Sequence, residues 1–206
     1  MKIQDAEGTR EPEVIPGTSE FDYPGSFLPD GETLVFLRSS QETSFDVYAM
    51  PLRDPANVRP ILETAAYEGG ARLSPDGRWL AYVSNESGQN EVYMRPFSGP
   101  ERRWQISTQG GTQAVWNPNG REIFYRSGNK MMVVDVSSTP DVTLSSPRLL
   151  FEQRYAFGAG ITIANYDVTR DGQRFVMVKD EAGSGRLSVV LNWFSDLSRF
   201  TPVAAN

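Results

Sequence analysis

The chain has 206 residues, of which 39% are apolar, and its 26 acidic and 20 basic side chains give a net charge of −6 at pH 7. This length and composition suffice for one all-β domain with a substantial core, whereas the acidic excess disfavours nucleic acid as a partner, because nucleic-acid binding needs a basic surface. The sequence contains no cysteine and no histidine, which excludes disulfides and thiolate chemistry and removes the commonest general base and metal ligand.

The first 18 residues precede any repeat. They lack the apolar core of a secretion signal, and no later apolar run reaches the ~20 residues of a membrane helix, so we expect no direct membrane insertion and leave the compartment open. Residues 1–12 are interpreted as an N-terminal extension. Residues 13–18 occupy the place of an outer strand, which either pairs with the predicted strand at 187–194 and closes a ring, or belongs to a preceding blade.

A four-residue turn motif then occurs four times, and each copy is followed by an apolar run of strand length. The copies lie at 28–31, 74–77, 117–120 and 169–172, and their glycines are 46, 43 and 52 residues apart. Repetition at this period, with strands in the repeat, predicts a β-propeller of four four-stranded blades.

The turns themselves are interpreted as structural rather than metal-binding. An Asp or Asn before a Gly bonds its own backbone in a hairpin turn, and the Gly accepts positive φ. The residues assigned this role are Asp30, Gly31, Asp76, Gly77, Asn119, Gly120, Asp171 and Gly172.

The second repeat is the clearest copy, with predicted strands at 69–73, 79–84, 91–95 and 103–108. The four repeats cover about 19–66, 67–110, 111–153 and 154–194 within one domain at 13–200, and residues 201–206 form a tail. The fourth repeat has no obvious fourth strand, and residues 195–200 read as a short helical turn with a serine cap.

The entry into the fourth repeat departs most from the pattern, so Phe157, Gly158 and Gly160 form a candidate binding loop. No serine-hydrolase elbow, calcium loop or dinucleotide-binding context is present, and the sequence therefore predicts no catalytic residue, no cofactor and no metal site. The aromatic residues on strands are assigned to the core between blades rather than to a ligand shelf: Trp79, Tyr82, Tyr93, Trp104, Trp116, Phe124 and Tyr125.

The repeats resemble the TolB-type, WD-repeat-like propeller family, whose blade reads roughly Gly-Gly, Ser-Pro-Asp-Gly, Leu-Ala-Tyr and, after a loop, Val-Tyr. The match is closest at 69–95 and extends over all four repeats. Through 91–97, 104–108, 165–168 and 190–194, the chain is most similar to the C-terminal propeller of bacterial eukaryotic-like serine/threonine kinases and related signalling proteins. That resemblance implies a sensing or protein-binding module that is appended to another domain and is often extracytoplasmic. Such propellers usually have more than four blades, so the resemblance also implies that the chain is the C-terminal portion of a longer ancestor. No kinase motif is present, so no kinase activity is implied.

These observations favour a non-enzymatic module that binds a protein or peptide within a larger signalling or cell-envelope system. Two alternatives stay open: a propeller hydrolase or lactonase with a central metal, and an accessory domain of a kinase or peptidase. If the four blades do not close, apolar sheet faces remain uncovered, and we then expect a homodimer.

Overall fold

The structure is a computed structural model that describes residues 1–139, 141–157, 162–181 and 184–190, with only the backbone described from residue 180 onward. The regular structure of these residues is entirely β, and they contain no helix that could cross a membrane. The strands are β1 (Lys2–Ile3), β2 (Glu13–Val14), β3 (Asp22–Phe27), β4 (Thr33–Ser40), β5 (Ser44–Pro51), β6 (Arg59–Leu62), β7 (Glu68–Leu73), β8 (Trp79–Ser84), β9 (Glu91–Pro96), β10 (Trp104–Gln105), β11 (Thr112–Trp116), β12 (Glu122–Ser127), β13 (Lys130–Ser137), β14 (Thr143–Leu144), β15 (Arg148–Glu152), β16 (Tyr166–Val168), β17 (Phe175–Glu181) and β18 (Ser184–Val190). The predicted helical turn at 195–200 and the tail lie outside the described residues.

Four antiparallel sheets follow the four repeats, and each is a meander of consecutive strands. Sheet 1 has the order β3-β4-β5-β6, and sheet 2 has the order β7-β8-β9-β10. In sheet 3, β11-β12-β13 is extended by β14 and β15, which both pair with β13. Sheet 4 comprises β16-β17-β18. This is the strand organisation expected of propeller blades.

The sheets pack face to face, and one apolar cluster fills each interface. In β8, Leu80 and Tyr82 pack towards sheet 1, whereas Ala81 and Val83 pack towards sheet 3. Because successive side chains of a strand point to opposite faces, a strand that lies between two neighbouring sheets must be apolar on both. The contact between sheets 3 and 4 includes Phe124 and Phe175, whose ring centroids are 4.9 Å apart.

Five of the seven aromatic residues assigned to the core are buried between sheets, namely Tyr82, Tyr93, Trp116, Phe124 and Tyr125. Trp79 and Trp104 are half-buried and pack edge to face, with ring centroids 5.6 Å apart. The aromatic side chains therefore contribute to the core, as their positions on strands indicate.

The N-terminal residues form a hairpin of β1 and β2, while the predicted pairing of residues 13–18 with 187–194 stays a prediction, because 191–194 lie outside the described residues. Glu13 and Val14 pair with Ile3 and Lys2, and among the described residues no strand pairs with β2 other than β1. Ile15, the residue after β2, packs against the face of sheet 1 that points away from sheet 2. The residues around this hairpin thereby cover part of an apolar face of sheet 1.

Candidate functional site

The four repeat turns have the geometry of tight hairpin connections. Their glycines have φ between 70° and 72°, in the left-handed region that favours glycine. The preceding side chain accepts a hydrogen bond of 2.8–3.1 Å from the backbone N–H two residues further on, at Asp30, Asp76, Asn119 and Asp171. These oxygens are used within the turn, and for Asp30 the bonds from Glu32 and Thr33 lower the pKa of the carboxyl.

The first residue of the predicted binding loop is held by a buried arginine. Phe157 is 51% exposed, and the guanidinium carbon of Arg126 lies 3.9 Å from its ring centroid. Arg126 donates hydrogen bonds to the carbonyls of Ala156 and Tyr155, and burial lowers its pKa. Gly158 and Gly160 lie outside the described residues.

After this loop the chain contacts the innermost strands of sheets 2 and 3. The carbonyl of Thr162 accepts a 3.1 Å hydrogen bond from the backbone N–H of Gln113, and its hydroxyl bonds the Tyr67 hydroxyl at 2.8 Å. The approach to sheet 2 is close: a Cβ atom added at Gly70 would lie 2.5 Å from the Thr162 carbonyl oxygen. Gln113 has φ 57°, an uncommon value for a residue with a side chain. The segment thus ties sheet 4 to the centre of the molecule.

Beside this segment lies a cavity of about 670 Å³, which we call the axial cavity. Its walls come from the first strands of sheets 2, 3 and 4 and from β17. The described residues that line it are Arg72, Leu73, Pro75, Val115, Trp116, Pro118, Ala164, Asn165, Tyr166, Asp167, Val176 and Val178. Most of this surface is apolar, and Val178 at its edge is 36% exposed.

The polar groups of two aromatic lining residues are already bonded within the protein. The indole N–H of Trp116 donates to the backbone carbonyl of Arg72 at 3.1 Å, and the hydroxyl of Tyr166 donates to the carbonyl of Gln113 at 2.8 Å. Burial raises the pKa of Tyr166 above its ordinary value. The part of each ring that lines the cavity is therefore apolar.

The charged groups of the axial cavity are Arg72 and Asp167. Arg72 is half-buried, and its guanidinium forms no ion pair and donates no hydrogen bond to any described residue. Asp167 is exposed, and one of its carboxylate oxygens accepts a 2.8 Å hydrogen bond from the backbone N–H of Val168. The cavity thus combines apolar walls with one cation that has no protein partner in the described part of the chain.

A second set of charged residues is buried in sheets 1 and 2, away from this cavity. Asp22 accepts hydrogen bonds of 2.9 Å from two nitrogens of Arg38. Burial acts to raise the pKa of Asp22, but the bonds from Arg38 and Ser19 outweigh it, and the pKa lies below the ordinary value.

Asp46 and Glu68 are 1% and 2% exposed, yet neither has a cationic partner among the described residues. Each accepts a hydrogen bond from one threonine hydroxyl, at Thr43 and Thr64, and the other oxygen of each carboxyl group has no partner within the described ranges. Burial raises the pKa of both groups. In the described part of the chain, no three acidic side chains come together in a way that could hold a metal ion.

Sequence reasoning assigned the four turns and a candidate binding loop at Phe157, which stays a prediction, and it did not anticipate the axial cavity. Arg72 and Val178 stand more than 100 positions apart in the chain, and no local pattern connects them. One signal was available: Arg72 is the charged residue within the otherwise uncharged run at 69–75, which leads into the second turn.

A family model describes this arrangement of repeats: residues 2–192 match PD40, the TolB beta propeller domain. The chain belongs to this family. Among solved structures, TolB from Acinetobacter baumannii superimposes with a TM-score of 0.66 at 20% identity, over 93% of this chain and 45% of that one. An oligogalacturonate lyase in complex with manganese gives a TM-score of 0.63 at 16% identity, over 92% of this chain and 53% of that one.

A puromycin-hydrolyzing peptidase from Mycobacterium tuberculosis gives a TM-score of 0.61 at 17% identity, over 89% of this TolB-type chain and 32% of the peptidase. At these identities the likeness shows the fold alone. The chain spans about half the length of TolB and of the lyase, and a third of the peptidase.

Proposed function

We propose that this TolB-type propeller is a non-enzymatic module that binds a segment of a protein or peptide in the axial cavity, within a larger signalling or cell-envelope system. The observation that carries the proposal is the cavity itself, at about 670 Å³ between the inner strands of sheets 2, 3 and 4. This volume lies within the roughly 300–1,000 Å³ typical of ligand sites.

The lining supports binding of a peptide segment. Val115, Trp116, Val176 and Val178 offer apolar surface, and a few polar groups beside such walls fix the orientation of a ligand. The walls stand on strands whose opposite faces are packed, as Phe175 and Met177 are in β17. A cavity built on strands is held in shape before a ligand arrives, which reduces the entropy cost of binding.

The same lining residues favour ligand binding over metal-assisted catalysis. A metal such as manganese is held by several oxygen or nitrogen ligands, and among the described lining residues Asp167 is the one that carries a carboxylate. The lyase and the peptidase among the similar structures carry their activities on longer chains. The residues of the axial cavity therefore favour ligand binding, rather than catalysis, as the function of this cavity.

The proposal is tested by selecting random peptides displayed on phage against the immobilised chain. Val178→Arg places a long charged side chain at the cavity edge, and because Val178 is 36% exposed the fold should tolerate it. The matched control is Val14→Arg, at a position that is 65% exposed on the N-terminal hairpin.

We expect the wild type and Val14→Arg to enrich a common set of peptides, and Val178→Arg to bind them at least about tenfold more weakly, the effect of 1.4 kcal/mol. Selection of no peptide, or of peptides that bind all three proteins equally, would show that the cavity is not the binding site.

A further inference from the structure

Arg72 differs from the other arginines that the structure buries. Four arginines in the described ranges are buried or half-buried: Arg38, Arg72, Arg95 and Arg126. The guanidinium of Arg38 bonds Asp22, that of Arg95 bonds the carbonyl of Ile61, and that of Arg126 bonds the carbonyl of Ala156.

Among the described residues no acceptor bonds the guanidinium of Arg72, although it lines the axial cavity. Because Arg72 is only partly accessible to water, an acceptor on a ligand can take the place of the water that its guanidinium bonds. An acceptor brought by a ligand would supply what the described residues do not.

We propose that Arg72 binds a carboxylate of the ligand, so that the axial cavity selects peptides with an acidic side chain or a free C-terminal carboxyl group. This inference rests on the proposed function. The planar guanidinium fork matches a carboxylate with two parallel hydrogen bonds, and such charge-assisted bonds are stronger than neutral ones. Apolar neighbours such as Trp116 and Val115 lower the local dielectric and strengthen the attraction further.

Asp167 limits how many acidic groups the cavity accepts. Its carboxylate lines the same cavity as Arg72, and it repels a second negative charge on the ligand. The chemistry that fits is therefore one carboxylate flanked by apolar residues, rather than a strongly acidic segment.

The test repeats the selection of random peptides with Arg72→Gln and with Arg121→Gln. Arg121 is an exposed arginine on the hairpin turn of the next sheet, so its replacement removes the same charge. Folding of Arg72→Gln is checked by tryptophan fluorescence, because the bond from Trp116 goes to the backbone carbonyl at position 72 and should persist.

We expect the wild type and Arg121→Gln to enrich acidic residues or free carboxyl termini, and Arg72→Gln to lose that preference. Selected peptides are then resynthesised with Glu replaced by Gln, with an amidated C-terminus, and with Glu replaced by phosphoserine. Loss of at least about tenfold in affinity on one of the first two changes, seen for the wild type but not for Arg72→Gln, identifies which carboxylate Arg72 binds.

Tighter binding of the phosphoserine peptides would contradict the inference, because the recognised anion would then be a phosphate. An acidic preference that survives in Arg72→Gln, or selected peptides without acidic enrichment, would also overturn it while leaving peptide binding intact. Failure to select any peptide with the wild type would refute the proposed function itself.

Discussion

Sheets 1 and 2 each bury an acidic side chain at the first residue of their first strand, but the groups that surround the two carboxyls differ. Asp22 lies opposite Arg38 of β4 in the strand register, whereas Glu68 lies opposite Ser84 of β8. The arginine lowers the pKa of Asp22, while burial without a cation raises the pKa of Glu68. The presence or absence of a cross-strand cation thus decides whether the surroundings of a buried carboxyl favour its charged or its neutral form.

The largest effect should follow from removing the cation of sheet 1. Arg38→Met leaves the Asp22 side chain, which is fully buried, without its partner, and it also removes the guanidinium that lies 4.9 Å from the ring centroid of Tyr48. Loss of one member of a buried ion pair lowers the free energy of unfolding by about 3 kcal/mol. Urea denaturation followed by tryptophan fluorescence measures this loss.

The matched control is Arg103→Met, because Arg103 pairs with Glu86 and its side chain is 57% exposed. An exposed ion pair contributes less than about 1 kcal/mol. Equal losses for the two variants would show that burial does not distinguish these two pairs.

Asp22→Asn should have the next largest effect, and one that depends on pH. Because the pKa of Asp22 lies below 3.8 in the folded chain, its stabilisation is present above that pH and is lost as the pH falls through the lowered pKa. We expect a loss of about 2 kcal/mol at pH 7, the value of a charge-assisted hydrogen bond, which shrinks in acid. Thermal unfolding between pH 7 and pH 3 tests this, with the exposed Asp54→Asn as control.

The smallest effect is a gain in the free energy of unfolding, and it concerns Glu68 in sheet 2. The pKa of Glu68 lies above the ordinary 4.5, so the folded state loses stability as the pH rises through that raised pKa. Glu68→Gln remains neutral, and we expect it to be about 1 kcal/mol more stable than the wild type at pH 7, since it avoids a buried charge without a partner. The gain should vanish in acid.

Glu42→Gln, an exposed substitution, serves as the control for Glu68→Gln and should be neutral at both ends of the pH range. If Glu68→Gln proves less stable than the wild type at pH 7, the carboxylate of Glu68 must have a partner, and the contrast between the two sheets does not hold.

The features that the sequence predicts well are those made by neighbouring residues. Each hairpin turn is closed by a bond across three positions, as from the Gly77 N–H to the Ser74 carbonyl, so a motif such as Ser-Pro-Asp-Gly contains all the information for it. The repetition of that motif then predicts the sheets and the family.

The features that sequence reasoning missed depend on residues far apart. The pairing of Asp22 with Arg38 requires the strand register, and the axial cavity requires sheets 2, 3 and 4 together. The pairing of β2 with β1 spans two residues of each strand and carries little sequence pattern. The burial of Ile15, which fixes its position, is a tertiary effect.

The bond between Tyr67 and Thr162 joins residues 95 positions apart. Closing a loop of this length costs conformational entropy, and this cost is offset only once most of the sheets have packed together. During synthesis, sheets 1, 2 and 3 can form one after another. The contact between Tyr67 and Thr162 can form only after the segment that leads into sheet 4 has been made. We therefore expect slow, cooperative folding with a high contact order, in which the final meander locks those made before it.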